Sequence, residues 1–131
     1  MPKRILVVDD EEDIVAILKA RLENAGYEVD VAYDGKQGLE KIRERKPDLA
    51  IFDIMMPEIN GSTLCGMLKF DERFKDIAII ILTAKGRELD KEISHTVGAD
   101  AYMVKPFETQ VLLDTVAHLL TGADDRGGVI Q

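Results

Sequence analysis

The sequence predicts an α/β fold in which a parallel sheet is covered by helices on both faces. Five short apolar runs recur along the 131 residues, at Ile5–Val8, Val29–Ala32, Leu49–Phe52, Ile77–Leu82 and Ala101–Val104. Three of them are almost wholly apolar rather than alternating, as strands buried on both faces require. The segments between them are polar, with apolar residues at helical spacing. Strands alternating in this way with helices build βαβ units and a parallel sheet.

Each element has its own reason. The Ile and Val content of the five runs suits extended backbone. Ile14, Ile17, Leu18 and Leu22 fall on one face of a helix over 12–25, and Gly26 offers its C-terminal cap. A helix over 36–45 carries Leu39 and Ile42 among charges. A third, over 62–70, carries Leu64, Met67, Leu68 and Phe70. A fourth, over 88–97, carries Leu89, Ile93 and Val97 and stops at Gly98. A fifth, over 108–120, carries Val111, Leu112, Val116, Leu119 and Leu120. Beyond the domain, 1–121, the Gly- and Asp-rich segment 122–131 reads as a flexible tail or the start of a linker.

Composition narrows the function classes. The chain is 46% hydrophobic and 32% charged, which fits a folded domain rather than a disordered one. Its net charge of −8 argues against direct contact with nucleic acid or an anionic membrane, since both reward a basic surface. The longest apolar run, Ile77–Leu82, is far too short to span a bilayer. No signal peptide is visible before Asp9. Cys65 stands alone, so no internal disulfide forms, and no Cys/His cluster suggests zinc. These features point to the cytoplasm. Cys65 reads as a small packing residue, and His95 and His118 as exposed helix positions.

The chemistry is expected at the strand ends. In an open parallel sheet, ligands bind beyond the carboxyl ends of the strands. Here the first strand delivers Asp9-Asp10, the third Asp53, the fourth Thr83-Ala84 and the fifth Lys105-Pro106. Two carboxylates about 4 Å apart repel by about 4 kcal/mol at an effective dielectric of about 20. If the first and third strands are neighbours, three acids converge, and a cation should offset them. Lys105 is one candidate; a hard divalent ion such as magnesium, which prefers oxygen ligands, is the other. The competing reading makes Asp9 or Asp10 an N-cap, with Glu12 and Asp13 in the first helical turn. It accounts for one acid and leaves the other unexplained. Glu11 and Glu12 read as a solvated helix start. Asp53 alone would be a turn-starting acid, Thr83 a hydroxyl satisfied by backbone, Lys105 an exposed lysine and Tyr102 a half-buried strand aromatic.

Taken in order, ILVVDDEED, DLAIFDIMMPEING, IIILTA and GADAYMVKPF closely resemble the receiver domain of bacterial two-component response regulators, over roughly residues 3–121. The resemblance implies a doubly wound, flavodoxin-like (βα)5 fold with strand order 2-1-3-4-5, the order of the chemotaxis receiver. It makes Asp53 the phosphoacceptor. Asp10, Asp53 and the Met55 backbone carbonyl would ligate Mg2+, with Asp9 acting through a water. Lys105 would face the phosphoryl oxygens, and Pro106 would hold its loop through a cis peptide bond. Thr83 would be the switch hydroxyl and Tyr102 the switch aromatic. The phosphoryl donor would be a sensor histidine kinase or a phosphotransfer protein. A downstream protein would read the surface formed by the predicted helix 88–97, the strand Ala101–Val104 and the helix 108–120. The chain would be a monomer or weak dimer, catalytic only toward its own phosphorylation and dephosphorylation.

Some positions depart from the family pattern. Ser62-Thr63 replace an apolar–acidic pair often found there, and Ala78 stands where proline is frequent; both bear on partner contacts rather than chemistry. In this family, residues two beyond the phosphoacceptor and two beyond the threonine influence hydrolysis. Here they are Met55 and Lys85, and neither orients water as an acid or amide does, so slow self-dephosphorylation is expected. Two rivals fit less well. A flavodoxin-like cofactor binder wants a phosphate loop after the first strand, where DDEED would repel an anion. An aspartyl phosphatase wants a second acid at position 55. A receiver cut from a longer multidomain regulator is the remaining alternative.

Overall fold

A computed structural model describes residues 2–57, 59–84, 93 and 96–121. The strands are β1 (Arg4–Val8), β2 (Glu28–Ala32), β3 (Leu49–Asp53), β4 (Ala78–Ala84) and β5 (Ala101–Lys105). The described helices are α1 (Glu12–Asn24), α2 (Gly35–Glu44), α3 (Gly61–Lys69) and α4 (Thr109–Thr121). Each agrees with its predicted segment to within two residues. All strand pairs are parallel, and their order is β2-β1-β3-β4-β5.

The apolar runs are buried on both sides because successive side chains point to opposite faces. Leu6, Val8, Ala50, Phe52, Ile79 and Ile81 share one core with Ile42 of α2 and Leu64 and Leu68 of α3. Ile5, Val7, Leu49, Ile51, Ile80 and Leu82 share the other with Val15, Leu18 and Leu22 of α1 and Leu112 and Val116 of α4. Every residue of β3 is buried. Each large apolar side chain so covered contributes about 1.5–3 kcal/mol. The sheet is therefore doubly wound, with its central strand held from both faces.

The caps follow local chemistry. The Asp34 side chain accepts from Gln37 N at 2.8 Å to start α2, and the Asn60 side chain accepts from Thr63 N at 2.9 Å to start α3. Helix α1 ends before Gly26, whose φ of 101° suits only a residue without Cβ. Glu11 stands at the N-cap of α1, where no side chain makes a capping bond.

Ile93 and Val97 of the predicted fourth helix pack against the core beside α2 and α3. Residues 88–92, 94 and 95 of that helix, Lys85 and the predicted tail 122–131 lie outside the described residues, His95 among them. Cys65 is fully buried, as a packing residue should be. His118 corrects the sequence reading: it is half-buried, because α4 also turns Leu119 and Leu120 toward the core, and its enclosed Nε2 has no hydrogen bond among the described residues.

Candidate functional site

Register brings the acids together. Val8 of β1 aligns with Phe52 of β3, so the next residues, Asp9 and Asp53, leave the sheet side by side. Asp10 follows in the same turn. One carboxylate oxygen from each of Asp9, Asp10 and Asp53 lies within 4.8 Å of the others. Asp9 is fully buried, Asp53 nearly so and Asp10 exposed. Gly61 closes the floor, because α3 begins against the Asp53 main-chain carbonyl and a Cβ would collide with it.

Lys105 reaches the cluster from the end of β5, two strands away. Its Nζ lies 3.1 Å from Asp9 Oδ2 and 3.3 Å from Asp53 Oδ2. It lies closer still, at 2.8 Å, to Glu11 Oε1. The sequence reading of Glu11 as merely solvated is incomplete: its carboxylate is exposed yet spans 94 positions of sequence to reach the lysine. Nothing in the local pattern distinguishes it from Glu12; only its place directly after the acidic pair could have singled it out. Burial works against the Lys105 charge, but the close carboxylates of Glu11, Asp9 and Asp53 outweigh it. The lysine is held above its ordinary range.

The acids are raised too, which for them disfavours the charged form. Burial, then the neighbouring Asp9 charge, raises the Asp53 carboxyl to about 6, despite Lys105 and the Met55 N–H 3.3 Å from Oδ1. Burial also raises Asp9, against the Glu11 N–H that donates to its Oδ1 at 2.9 Å and the Lys105 charge. The N-cap reading of the acidic pair thus gives way: Asp9 takes an N–H at the helix entry but faces the cluster. Its buried Oδ2 has the Lys105 ion pair but no hydrogen bond of good geometry among the described residues. A buried, under-satisfied carboxylate oxygen among three converging acids is a donor set suited to a hard divalent cation.

The remaining predicted residues surround this centre. Thr83 is buried at the end of β4, and its Oγ1 points to the Met103 carbonyl at 3.5 Å, the limit of a hydrogen bond. Tyr102 is half-buried on β5. The Met55 side chain is 55% exposed at the rim. The Lys105-Pro106 bond is cis, as the resemblance implied.

Residues 5–117 match the family model described as the response regulator receiver domain, and the chain belongs to that family. Receiver domains are the signalling modules of two-component systems. The chain is 46% identical over 107 residues to the alkaline phosphatase synthesis transcriptional regulatory protein PhoP of Bacillus subtilis, covering 82% of this chain and 44% of that protein. It is 40% identical over 121 residues to the DNA-binding dual master transcriptional regulator RpaA of Synechocystis, covering 92% of this chain and 50% of that one. It therefore spans about half the length of these curated relatives. Among solved structures it resembles a putative response regulator from Chloroflexus aurantiacus, with a TM-score of 0.90 and 36% identity over 92% of this chain and 99% of that one. It also resembles the chemotaxis protein CheY4 of Vibrio cholerae, with a TM-score of 0.85 and 32% identity over 92% and 100%. Among the described residues, no helix is long and apolar enough to cross a membrane.

Proposed function

We propose that this chain is a phosphoacceptor switch that receives a phosphoryl group on Asp53 from a partner histidine kinase or phosphotransfer protein. The observation that carries the reading is the convergence of Asp9, Asp10 and Asp53 beside the Lys105 ammonium. An Asp53 carboxylate oxygen attacks the phosphorus of a phosphohistidine. The O–P bond forms as the N–P bond breaks, and the electron pair stays on the imidazole nitrogen, which takes a proton from water. Such transfer needs positioning and charge neutralisation more than covalent help. Asp10, Asp53 and the Met55 carbonyl, with Asp9 through a water, are the residues that would hold Mg2+. Bound there, Mg2+ would supply charge neutralisation to the phosphoryl oxygens. Lys105 supplies a positive charge beside Asp53.

The product carries about −1.5 to −2 charge where a carboxylate carried −1. Its oxygens demand donors. The Thr83 hydroxyl, held only loosely by Met103, turns toward them, and Tyr102 takes the space it leaves. The altered face includes a hollow of about 310 Å³ lined by Tyr102, Val104, Phe107 and Val111, which suits a protein target. We take 1–121 as the switching unit, acting in the cytoplasm as a monomer or weak dimer. The names of the two curated relatives support a second reading, in which the output is an attached transcriptional effector rather than a separate protein.

Acetyl phosphate with Mg2+ should add one phosphoryl group to the intact protein by mass, and Asp53→Asn should abolish the gain. Labelling that survives Asp53→Asn overturns the assignment.

A further inference from the structure

We propose, resting on Asp53 as the phosphoacceptor, that Glu11 is a positioning residue: it holds Lys105 while the site is empty of phosphate and releases it when a phosphoryl group arrives. The Lys105 ammonium has three N–H donors. Three carboxylates stand against it, Glu11 at 2.8 Å, Asp9 at 3.1 Å and Asp53 at 3.3 Å. To meet a phosphoryl oxygen the lysine must leave one of them.

The three are not equally easy to leave. Asp9 is fully buried, and a buried carboxylate stripped of its counter-charge is strongly disfavoured. Asp53 is the group that carries the phosphoryl. The Glu11 side chain is 60% exposed, so water replaces the lysine there at little cost. Glu11 is therefore the partner that is exchanged.

Its backbone is held for the task. The Glu11 N–H donates to Asp9 Oδ1, and its carbonyl accepts from Val15 N at 3.1 Å. The segment that places Asp9 thus also fixes where the Glu11 side chain begins. That side chain makes no capping bond to α1, although it occupies the N-cap. Glu12 and Asp13 already supply acidic charge to the first turn. What the Glu11 carboxylate contacts is the lysine.

The test is Glu11→Gln, which keeps the shape and removes the charge. The rate of labelling by acetyl phosphate with saturating Mg2+ is followed against acetyl phosphate concentration. Half-saturation should fall about two- to fivefold, the range expected for freeing an exposed ion-pair partner. The maximal rate should stay within about twofold of wild type. The same substitution in a Lys105→Met background, read at higher donor concentration, should change nothing. An equal shift in that background means a general field effect and overturns the proposal. So does an unchanged half-saturation accompanied by lost thermal stability, the signature of a helix-start role. Wild-type protein that does not label at all sinks the phosphoacceptor reading instead, so the two failures are distinct.

Discussion

The two edges of the sheet use the same kinds of residue to opposite ends. At the amino edge, acids are matched to partners. Arg4 N donates to Asp48 Oδ2 at 2.8 Å, and its guanidinium meets Glu28 at 2.6 Å and Asp30 at 3.5 Å. Lys69 Nζ joins Asp100 Oδ2 at 2.8 Å and the Ile77 carbonyl at 2.9 Å, while Ile79 N donates to the same Asp100 oxygen. At the carboxyl edge, Asp9, Asp53 and Glu11 share the Lys105 ammonium, with Asp10 alongside. One edge stitches strands together; the other leaves negative charge in surplus beside a core. The difference teaches that the surplus belongs to this one site and is not a property of acidic strand ends in general.

The sharpest separation of the edges is in cation binding. Asp9→Asn and Asp10→Asn should each weaken Mg2+ binding about tenfold or more, by calorimetric titration, while Asp48→Asn leaves it unchanged. Equal losses at both edges would erase the distinction.

Next come stabilities of opposite sign. Asp100→Asn removes the charged partner of Lys69 and weakens the acceptor of Ile79 N, and should lower stability by about 1–2 kcal/mol in urea titrations. Asp53→Asn should raise the stability of the metal-free protein at pH 7.5 by about 1–2 kcal/mol. The sign follows from Asp53 standing at about 6 in the folded state, above its unfolded value of about 3.9. Folding favours its protonated form. The stability associated with that group is fully present below pH 4 and is lost as pH rises through 6. The Asn gain should accordingly vanish near pH 4. A variant less stable than wild type at pH 7.5 without Mg2+ would count against the surplus of charge.

Most of this organisation was legible in the sequence, for physical reasons that also mark the limit. ILVV and LAIF admit few readings other than doubly buried strands, and a strand that ends on acids declares where its ligand lies. The helical spacing also placed α2 and α3, although the caps Asp34 and Asn60 start each helix one residue before the predicted 36 and 62. Glu11 was not legible, because its contact depends on a side chain crossing to residue 105, and no periodicity records such a reach. His118 was misjudged for a related reason. The width of α4's covered stripe depends on how closely the helix seats against β1 and β5, which its own spacing does not reveal.

The smallest effect concerns the lifetime of the phosphorylated state, and it sets two exposed methionines against each other. Met55 stands at the rim of the acidic edge, with its N–H on Asp53 Oδ1 and its side chain 55% exposed. A thioether neither orients a water for attack on phosphorus nor accepts its proton well, and its bulk would shield the approach. An amide in its place can orient that water. Met55→Asn should therefore speed decay of the phosphoprotein several-fold, followed by intact mass after the donor is removed. Met67, 43% exposed on α3, offers the control. Met67→Asn adds the same amide away from the acids and should leave the decay as it was. If both variants decay alike, shielding by Met55 is not what preserves the acyl phosphate.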